Sequence, residues 1–226
     1  MKHQQAELTV YSIGNMKLCA AIVETRDMDL EEVLDRHVPY LPENTTYFLF
    51  TKPHLVEKYN STLHNINIIP ITLEDDSVHC YNLLLTDQGP WFWETFLDFD
   101  RVLIFQNDSG LLRKGIEEFY EYDFIGAPWF THLPEYYPHC CNGGFSLRNP
   151  KVMFDISQKY HWGRNMGEDM FFTRHMLDDK MGILAPYEIA KKFSVEALFE
   201  LGTLGYHKPW YYLNSSQWEQ IKNQYI

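Results

Sequence analysis

The chain has 226 residues, 45% of them hydrophobic and 16% aromatic, which is enough apolar material for a substantial core and too much for a disordered polypeptide. Its 19 Lys and Arg stand against 31 Asp and Glu, a formal charge of -12, and this argues against a broad basic face for nucleic acid or anionic membrane. There is no long apolar run of membrane-spanning length and no basic segment leading into one, so neither a membrane span nor a signal peptide is expected. The expectation is a single cytoplasmic domain over residues 1–226.

Leu8 to Ile13 reads as an edge strand and Leu18 to Val23 as a stronger one, leading into polar Glu24, Thr25 and Arg26. Asp29 and Glu32 have capping-box spacing, and Leu30, Val33, Leu34, Val38 and Leu41 recur at helical intervals behind them. Pro42 and Asn44 interrupt that pattern. Tyr47 to Phe50 then reads as a second strand, His54 to Tyr59 as a short helix and Ile66 to Ile71 as a third strand. Strands alternating with helices predict a parallel sheet. A Leu- and Trp-rich helical stretch within Asp75 to Phe96, broken at Gly89-Pro90, returns the chain to the next strand.

That strand, Val102 to Phe105, is an all-apolar run of the kind buried on both faces, and Gln106, Asn107, Asp108 and Ser109 follow at once. Ligands of open α/β sheets bind beyond the carboxyl ends of the strands, so Asp108 lies where a site belongs, although the same residues are ordinary turn formers. Tyr122 to Ala127 reads as a further strand, followed by an aromatic, proline-rich loop to Cys141. Gly143 and Gly144 open the alternating segment Phe145-Ser146-Leu147-Arg148, where paired glycines permit close approach of a ligand or strand, or simply a tight turn. Gly167-Glu168-Asp169 starts a helix whose first-turn acids suit the macrodipole. The spacing puts Asp169 on the face of Phe172 and Met176, as an inward carboxylate and candidate general base.

Gly202 to Trp210 reads as an ordered loop in which His207 can ligate a metal or bond a phosphate, and Lys208 can neutralise one. Ser216 and Glu219 form a second capping box ahead of a terminal helix carrying Trp218, Ile221 and Tyr225. The cysteines, Cys19, Cys80 and the adjacent Cys140 and Cys141, make no disulfide framework and are expected reduced. His139-Cys140-Cys141 lacks the spacing of a zinc site. The stretch after the first strand is Glu24-Thr25-Arg26-Asp27 in place of Gly-x-Gly-x-x-Gly, and no phosphate-binding P-loop occurs, which sets aside dinucleotide-binding enzymes and P-loop kinases.

Taken in order, Gln106-Asn107-Asp108-Ser109, Asp123-Phe124-Ile125-Gly126-Ala127-Pro128-Trp129, Asn142-Gly143-Gly144-Phe145-Ser146-Leu147-Arg148, Glu168-Asp169-Met170-Phe171-Phe172 and Gly205-Tyr206-His207-Lys208 resemble the GT-A class of nucleotide-sugar-dependent glycosyltransferases. The closer resemblance is to a family of glycosyltransferase-like domains with Gln-x-Asp-Ser in place of Asp-x-Asp. It implies a GT-A (Rossmann-like) three-layer α/β/α sandwich with a mostly parallel central sheet. It also implies hexosyl or pentosyl transfer from a nucleoside-diphosphate sugar to an acceptor hydroxyl, by default on a glycan.

GT-A enzymes usually hold Mn²⁺ or Mg²⁺ by Asp-x-Asp, and such hard cations take oxygen ligands. Here Asp108 and His207 would be the ligands, with Gln106 offering a neutral carbonyl or a ribose contact. Thr25 and Arg26 would face the nucleotide, Gly143 and Gly144 the sugar, and Arg148 and Lys208 the phosphates. Asp169 would be the base of an inverting enzyme and Glu168 would orient the acceptor, whose sugars could stack on Trp129, Phe130, Tyr136 and Tyr137. Two alternatives stand beside this. One is transfer to a modified DNA base through Arg148, Lys151, Lys191 and Lys192, which the acidic charge disfavours. The other is a non-catalytic sugar- or nucleotide-binding domain, suggested by the missing first Asp.

Overall fold

A computed structural model of the chain describes residues 16–73, 78–129, 140–164 and 166–225; the strand expected at Leu8 to Ile13 lies outside them. The central sheet has six strands: β1 (Leu18–Val23), β2 (Thr46–Thr51), β3 (Ile66–Pro70), β4 (Arg101–Phe105), β6 (Phe124–Gly126) and β7 (Phe145–Arg148). Their order across the sheet is β3-β2-β1-β4-β7-β6. β1 pairs in parallel with β2 and β4, and β2 with β3, whereas β7 runs antiparallel to both β4 and β6. The sheet is therefore mostly parallel, as the alternation of strands and helices predicts. The connecting helices are α1 (Glu31–Asp35), α2 (Val56–Thr62), α3 (Val78–Leu85), α4 (Gly89–Glu94), α5 (Pro150–Lys159), α6 (Glu168–Asp178), α7 (Tyr187–Phe193) and α8 (Ser215–Asn223).

Register fixes which side chains share a face. Ile22 lies opposite Leu49 and Phe105, and Phe105 opposite Phe145. On this face the His37 ring sits 4.3 Å from Phe105, and Phe145 stacks on Phe193 of α7 at 5.2 Å. The other face presents Phe50, 4.8 Å from Phe92 of α4, and Arg148. Trp93 of α4 meets Phe172 of α6 edge-on at 5.8 Å. Helices thus cover both faces, giving three layers. β4 reads Arg-Val-Leu-Ile-Phe and is buried along its whole length, as a strand covered on both sides must be.

Several local expectations shift. Gly89-Pro90 starts α4, with the proline in its first turn, where its missing N–H is no loss. Asp29 accepts from Glu31 N at 3.0 Å but no reciprocal box forms with Glu32. The terminal helix is capped two residues earlier than expected: Asn214 and Gln217 make the box, and the Asn214 amide oxygen takes the Gln217 N–H at 3.0 Å. The segment read as a loop around His207 contains a strand, β9 (Gly205–His207), between β5 (Ser109–Leu111) and β8 (Ser194–Val195) in a second, small sheet. One partner, β5, lies about a hundred positions earlier, and the other, β8, has only two residues, so no local periodicity announces it. Cys19 and Cys80 are buried and outside any disulfide, and the adjacent Cys140 and Cys141, expected reduced, are buried with their sulfurs in direct contact.

Candidate active site

A cleft of about 500 Å³ opens at the carboxyl ends of β1 and β4. It is lined by Thr25 and Arg26 after β1, Tyr81 of α3, Gln106 and Asp108 after β4, and Lys208 after β9. The buried strand β4 delivers Gln106 to Asp108 there, and a closed turn fixes them. Ser109 Oγ donates to the Gln106 carbonyl at 2.7 Å and accepts the Gln106 N–H at 3.2 Å. Behind it the fully buried His37 contacts Ser109 Oγ through Nε2 at 3.2 Å. Burial depresses the His37 pKa to about 4, so this imidazole is neutral at ordinary pH. Asn107 is held twice. Its carbonyl accepts from Arg36 at 2.7 Å and its side-chain oxygen from Arg26 at 3.2 Å.

The small sheet brings the C-terminal part of the chain onto this turn. Antiparallel pairing sets His207 opposite Ser109, and the Lys208 N–H donates to the Asp108 carbonyl at 2.8 Å. His207 is 1% exposed. Its Nε2 stands 3.2 Å from both Gln106 Oε1 and Asp108 Oδ1, and its Nδ1 stands 3.2 Å from Glu196 Oε1. Asp108 Oδ1 and His207 Nδ1 are buried and lack well-aligned hydrogen-bond partners. Burial favours the neutral form of each ring and carboxyl, but their mutual charge wins. The Asp108 carboxyl is held below its ordinary value by His207 and Lys208, and the His207 imidazole above its own by Asp108 and Glu196. Gly144 lies against this group: a Cβ there would overlap the His207 ring and come within 2.8 Å of Gln106 Oε1.

A second acidic group lies on the far side of the glycine pair. Arg148 is fully buried in a box of Phe124, Phe172 and Trp93, its guanidinium carbon 4.4, 5.6 and 5.7 Å from their rings. It donates to both oxygens of Glu168, at 2.6 and 2.9 Å. Arg148 was expected to face the diphosphate; its placement is elsewhere, because it is the counterion of a buried carboxylate. Glu168, expected to orient an acceptor, is 2% exposed and committed to that pair. Asn82 of α3 accepts the Glu168 N–H at 3.0 Å and so satisfies one of the free donors at the start of α6. Asp169 next to it is only partly buried and accepts the Met170 N–H at 2.7 Å. Burial first, and the neighbouring Glu168 charge second, push its carboxyl up to about 7. A Cβ at Gly143 would overlap Glu168, so both glycines are required by close approach. Tyr81 spans the two groups: it lines the cleft and donates to the Gly143 carbonyl at 3.3 Å.

The structure therefore gathers Thr25, Arg26, Gln106, Asp108, His207, Lys208 and Gly144 around one cleft. It sets Glu168, Asp169 and Gly143 beside it and buries Arg148 in the core. Of the residues named for a DNA acceptor, Arg148 has no exposed surface, Lys151 pairs with Asp155 at 3.8 Å, Lys191 pairs with Glu188 and Glu200 at 3.4 and 3.0 Å, and Lys192 is exposed. Of the acceptor-stacking aromatics, Trp129 is partly exposed, and Phe130, Tyr136 and Tyr137 lie outside the described residues. Sequence reasoning passed over Tyr81, inside a Leu-rich helix, and Glu196. Neither carries a local signal, since each reaches the site only through tertiary contact.

A mostly parallel sheet with an antiparallel strand beside β4, a cleft at its carboxyl edge and a small second sheet returning a histidine to that cleft define a glycosyltransferase-like Rossmann fold. Among solved structures the chain is similar to the apo form of the glycosyltransferase GlyE of Streptococcus pneumoniae TIGR4, with a TM-score of 0.52 and 12% sequence identity. That similarity covers 88% of this chain and 55% of the other, so the chain spans little more than half the length of the protein it resembles. A comparison with curated proteins finds no sequence match. The chain belongs to the family described as "protein of unknown function (DUF5672)", whose model matches residues 66–208. No helix among the described residues is long and apolar enough to cross a membrane.

Proposed function

We propose that the chain transfers a sugar from a nucleoside-diphosphate sugar to an acceptor hydroxyl, by inversion, with a glycan as the acceptor. The observation that supports this best is the pairing of two unlike carboxylates across Gly143 and Gly144. Asp108, held ionised, lies in the cleft, and Asp169, pushed up to about 7, lies beside it. Environments that drive two carboxyls apart suit one to bind cationic charge and the other to exchange a proton near neutral pH.

In this reading Thr25 and Arg26 face the nucleotide. Lys208 is the cation for the diphosphate, a role Arg148 is too deeply buried to share. Among the described residues no group of three His, Cys, Asp or Glu side chains is arranged as a metal site. A mixed set fits one: the Asp108 carboxylate with its unpartnered buried oxygen, the His207 Nε2 and the Gln106 carbonyl oxygen. One carboxylate, one imidazole and one neutral oxygen suit Mn²⁺ or Mg²⁺ when phosphates and water complete the shell. The ion would neutralise charge on the departing diphosphate. Gly143 and Gly144 let the backbone line the sugar pocket. Asp169 takes the proton of the attacking hydroxyl, and Glu168, fixed by Arg148, sharpens that base by raising its proton affinity.

Calorimetric titration with a panel of nucleoside-diphosphate sugars, each with Mn²⁺ and with chelator, tests this. The expected result is one donor that binds only with the metal, and loss of that binding in Asp108→Ala. Failure of every donor in both conditions would overturn the reading, and metal-independent binding would transfer the diphosphate to Lys208 alone.

A further inference from the structure

The glycine pair separates the two acidic groups, and two successive glycines have more backbone freedom than any other two residues. The structure restrains them at the peptide they share. The Gly144 N–H donates to Asn142 Oδ1 at 2.9 Å. The Gly143 carbonyl accepts from Ser146 Oγ at 3.0 Å and Tyr81 Oη at 3.3 Å, with Arg148 Nη2 further off at 3.4 Å. A carbonyl oxygen has two lone pairs, and that Arg148 nitrogen has a closer partner in Glu168, at 2.9 Å. The serine and the tyrosine are therefore the main donors. Ser146 lies on the strand the glycines open, whereas Tyr81 arrives from α3, 62 positions earlier, and of the three donors it is the one that also lines the cleft.

Burial first, and then the Glu168 charge, push the Tyr81 phenol well above its ordinary pKa, so the proton stays on the oxygen. The hydroxyl lies between the Gly143 carbonyl and the Glu168 carboxylate. The next residue of α3, Asn82, accepts the Glu168 N–H at 3.0 Å. Two successive side chains of one helix thus hold the glycine turn and the start of α6. Asp169 stands at that junction, and the Gly143 N–H is among the groups that draw its carboxyl back down.

We infer that Tyr81 is a positioning residue for the base: its hydroxyl ties the Gly143 carbonyl to the start of α6 and so holds the Gly143 N–H toward Asp169, while its ring forms a wall of the cleft. The consequence for turnover rests on the transferase reading; the restraint on the glycine pair does not.

The test uses the whole chain and Tyr81→Phe, which keeps the wall and removes the hydroxyl. Hydrogen exchange is followed by NMR, with ¹³C-carbonyl and ¹⁵N labels selecting Asn142-Gly143 and Gly143-Gly144, each of which occurs once in the sequence. Tyr81→Phe should speed exchange at Gly144 by about 3- to 10-fold, the loss of one hydrogen bond, while Gly110 of β5 keeps its rate. With the donor that titration identifies, kcat should fall about 10-fold and the donor Kd stay as in wild type. Adding Tyr81→Phe to Asp169→Asn should cost no further kcat, because the hydroxyl acts through that base. Tyr81→Leu should loosen the glycines as much and weaken the donor as well. A wild-type Gly144 amide that exchanges at the unprotected rate overturns the inference without any variant having to fold. So does unchanged exchange in a folded Tyr81→Phe, a kcat loss that persists in full beside Asp169→Asn, or a donor Kd that rises as far in Tyr81→Phe as in Tyr81→Leu. If wild type turns over no donor while Tyr81→Phe still quickens exchange, the restraint stands and the transferase reading falls.

Discussion

At the start of α6 the buried carboxylate of Glu168 meets a guanidinium that answers both of its oxygens, whereas at the end of β9 the carboxylates of Asp108 and Glu196 crowd one imidazole from opposite sides. The first centre is closed, and its charge is settled inside the core. What it leaves over is Asp169, whose carboxyl burial and the Glu168 charge push up to about 7. The second centre is open to the cleft, and its surplus is negative oxygen, with Asp108 held below its ordinary value. Burial beside a like charge at Asp169 and the cations beside Asp108, more than residue type, thus divide the acids into one that seeks a proton and one that seeks a larger cation. The glycine pair lets the two stand close together without a side chain between them.

Breaking the closed centre should have the largest effect. Arg148→Met leaves Glu168 buried and unpaired, and about 3–5 kcal/mol of stability should be lost in denaturant unfolding. Adding Glu168→Leu should recover much of it, because the pair is then replaced by packing. Recovery failing to appear would mean that the aromatic box needs the guanidinium itself.

Asp169→Asn sharpens the contrast next, and its two readouts move in opposite directions. Loss of the base should lower kcat by about 10² with donor affinity kept. In wild type, kcat should rise with pH and level off above about 7, where Asp169 is ionised. Its folded pKa is raised above the unfolded value of about 3.9, so the folded state holds the proton more tightly. Stability should therefore fall as pH rises from about 4 through about 7. Asp169→Asn should remove that slope and be the more stable protein at pH 8. A substituted protein with the wild-type slope would assign the titration to another group.

The smallest effect is expected at the rim of the open centre. Arg26 is 60% exposed and already bonded to both oxygens of Glu24, at 2.8 and 2.7 Å. Arg26→Ala should raise the donor KM several-fold, on the order of 1 kcal/mol, and leave kcat alone. A fall in kcat would move Arg26 toward the reacting centre.

The two centres also differ in how far the sequence announces them. β1, β2 and β4 are apolar runs followed at once by polar residues, so the order of strands and the placing of Thr25, Arg26 and Asp108 at the carboxyl edge could be read directly. The opening of α6 was legible for the same reason, through its first-turn acids and the Phe172 and Met176 face. Arg148 was misread because nothing local separates an arginine facing phosphate from one sealed in an aromatic box; that depends on Glu168, twenty positions away in the fold's partner helix. Gly205 to His207 reads as a loop because three residues have no period. Their strand character comes from Ser109 to Leu111, about a hundred positions earlier.

Lys208 holds a backbone conformation that suits glycine, with φ 36° and ψ 45°. A left-handed residue with a side chain costs about 1–2 kcal/mol, and glycine there would relieve the strain against a smaller entropic loss in the unfolded chain. A redesign aimed only at heat resistance would therefore choose position 208 early and would gain robustness by discarding the one cation that reaches into the cleft from β9. Where strain and chemistry share a residue in this way, thermal endurance and turnover are rival objectives, and screening for the first would select against the second.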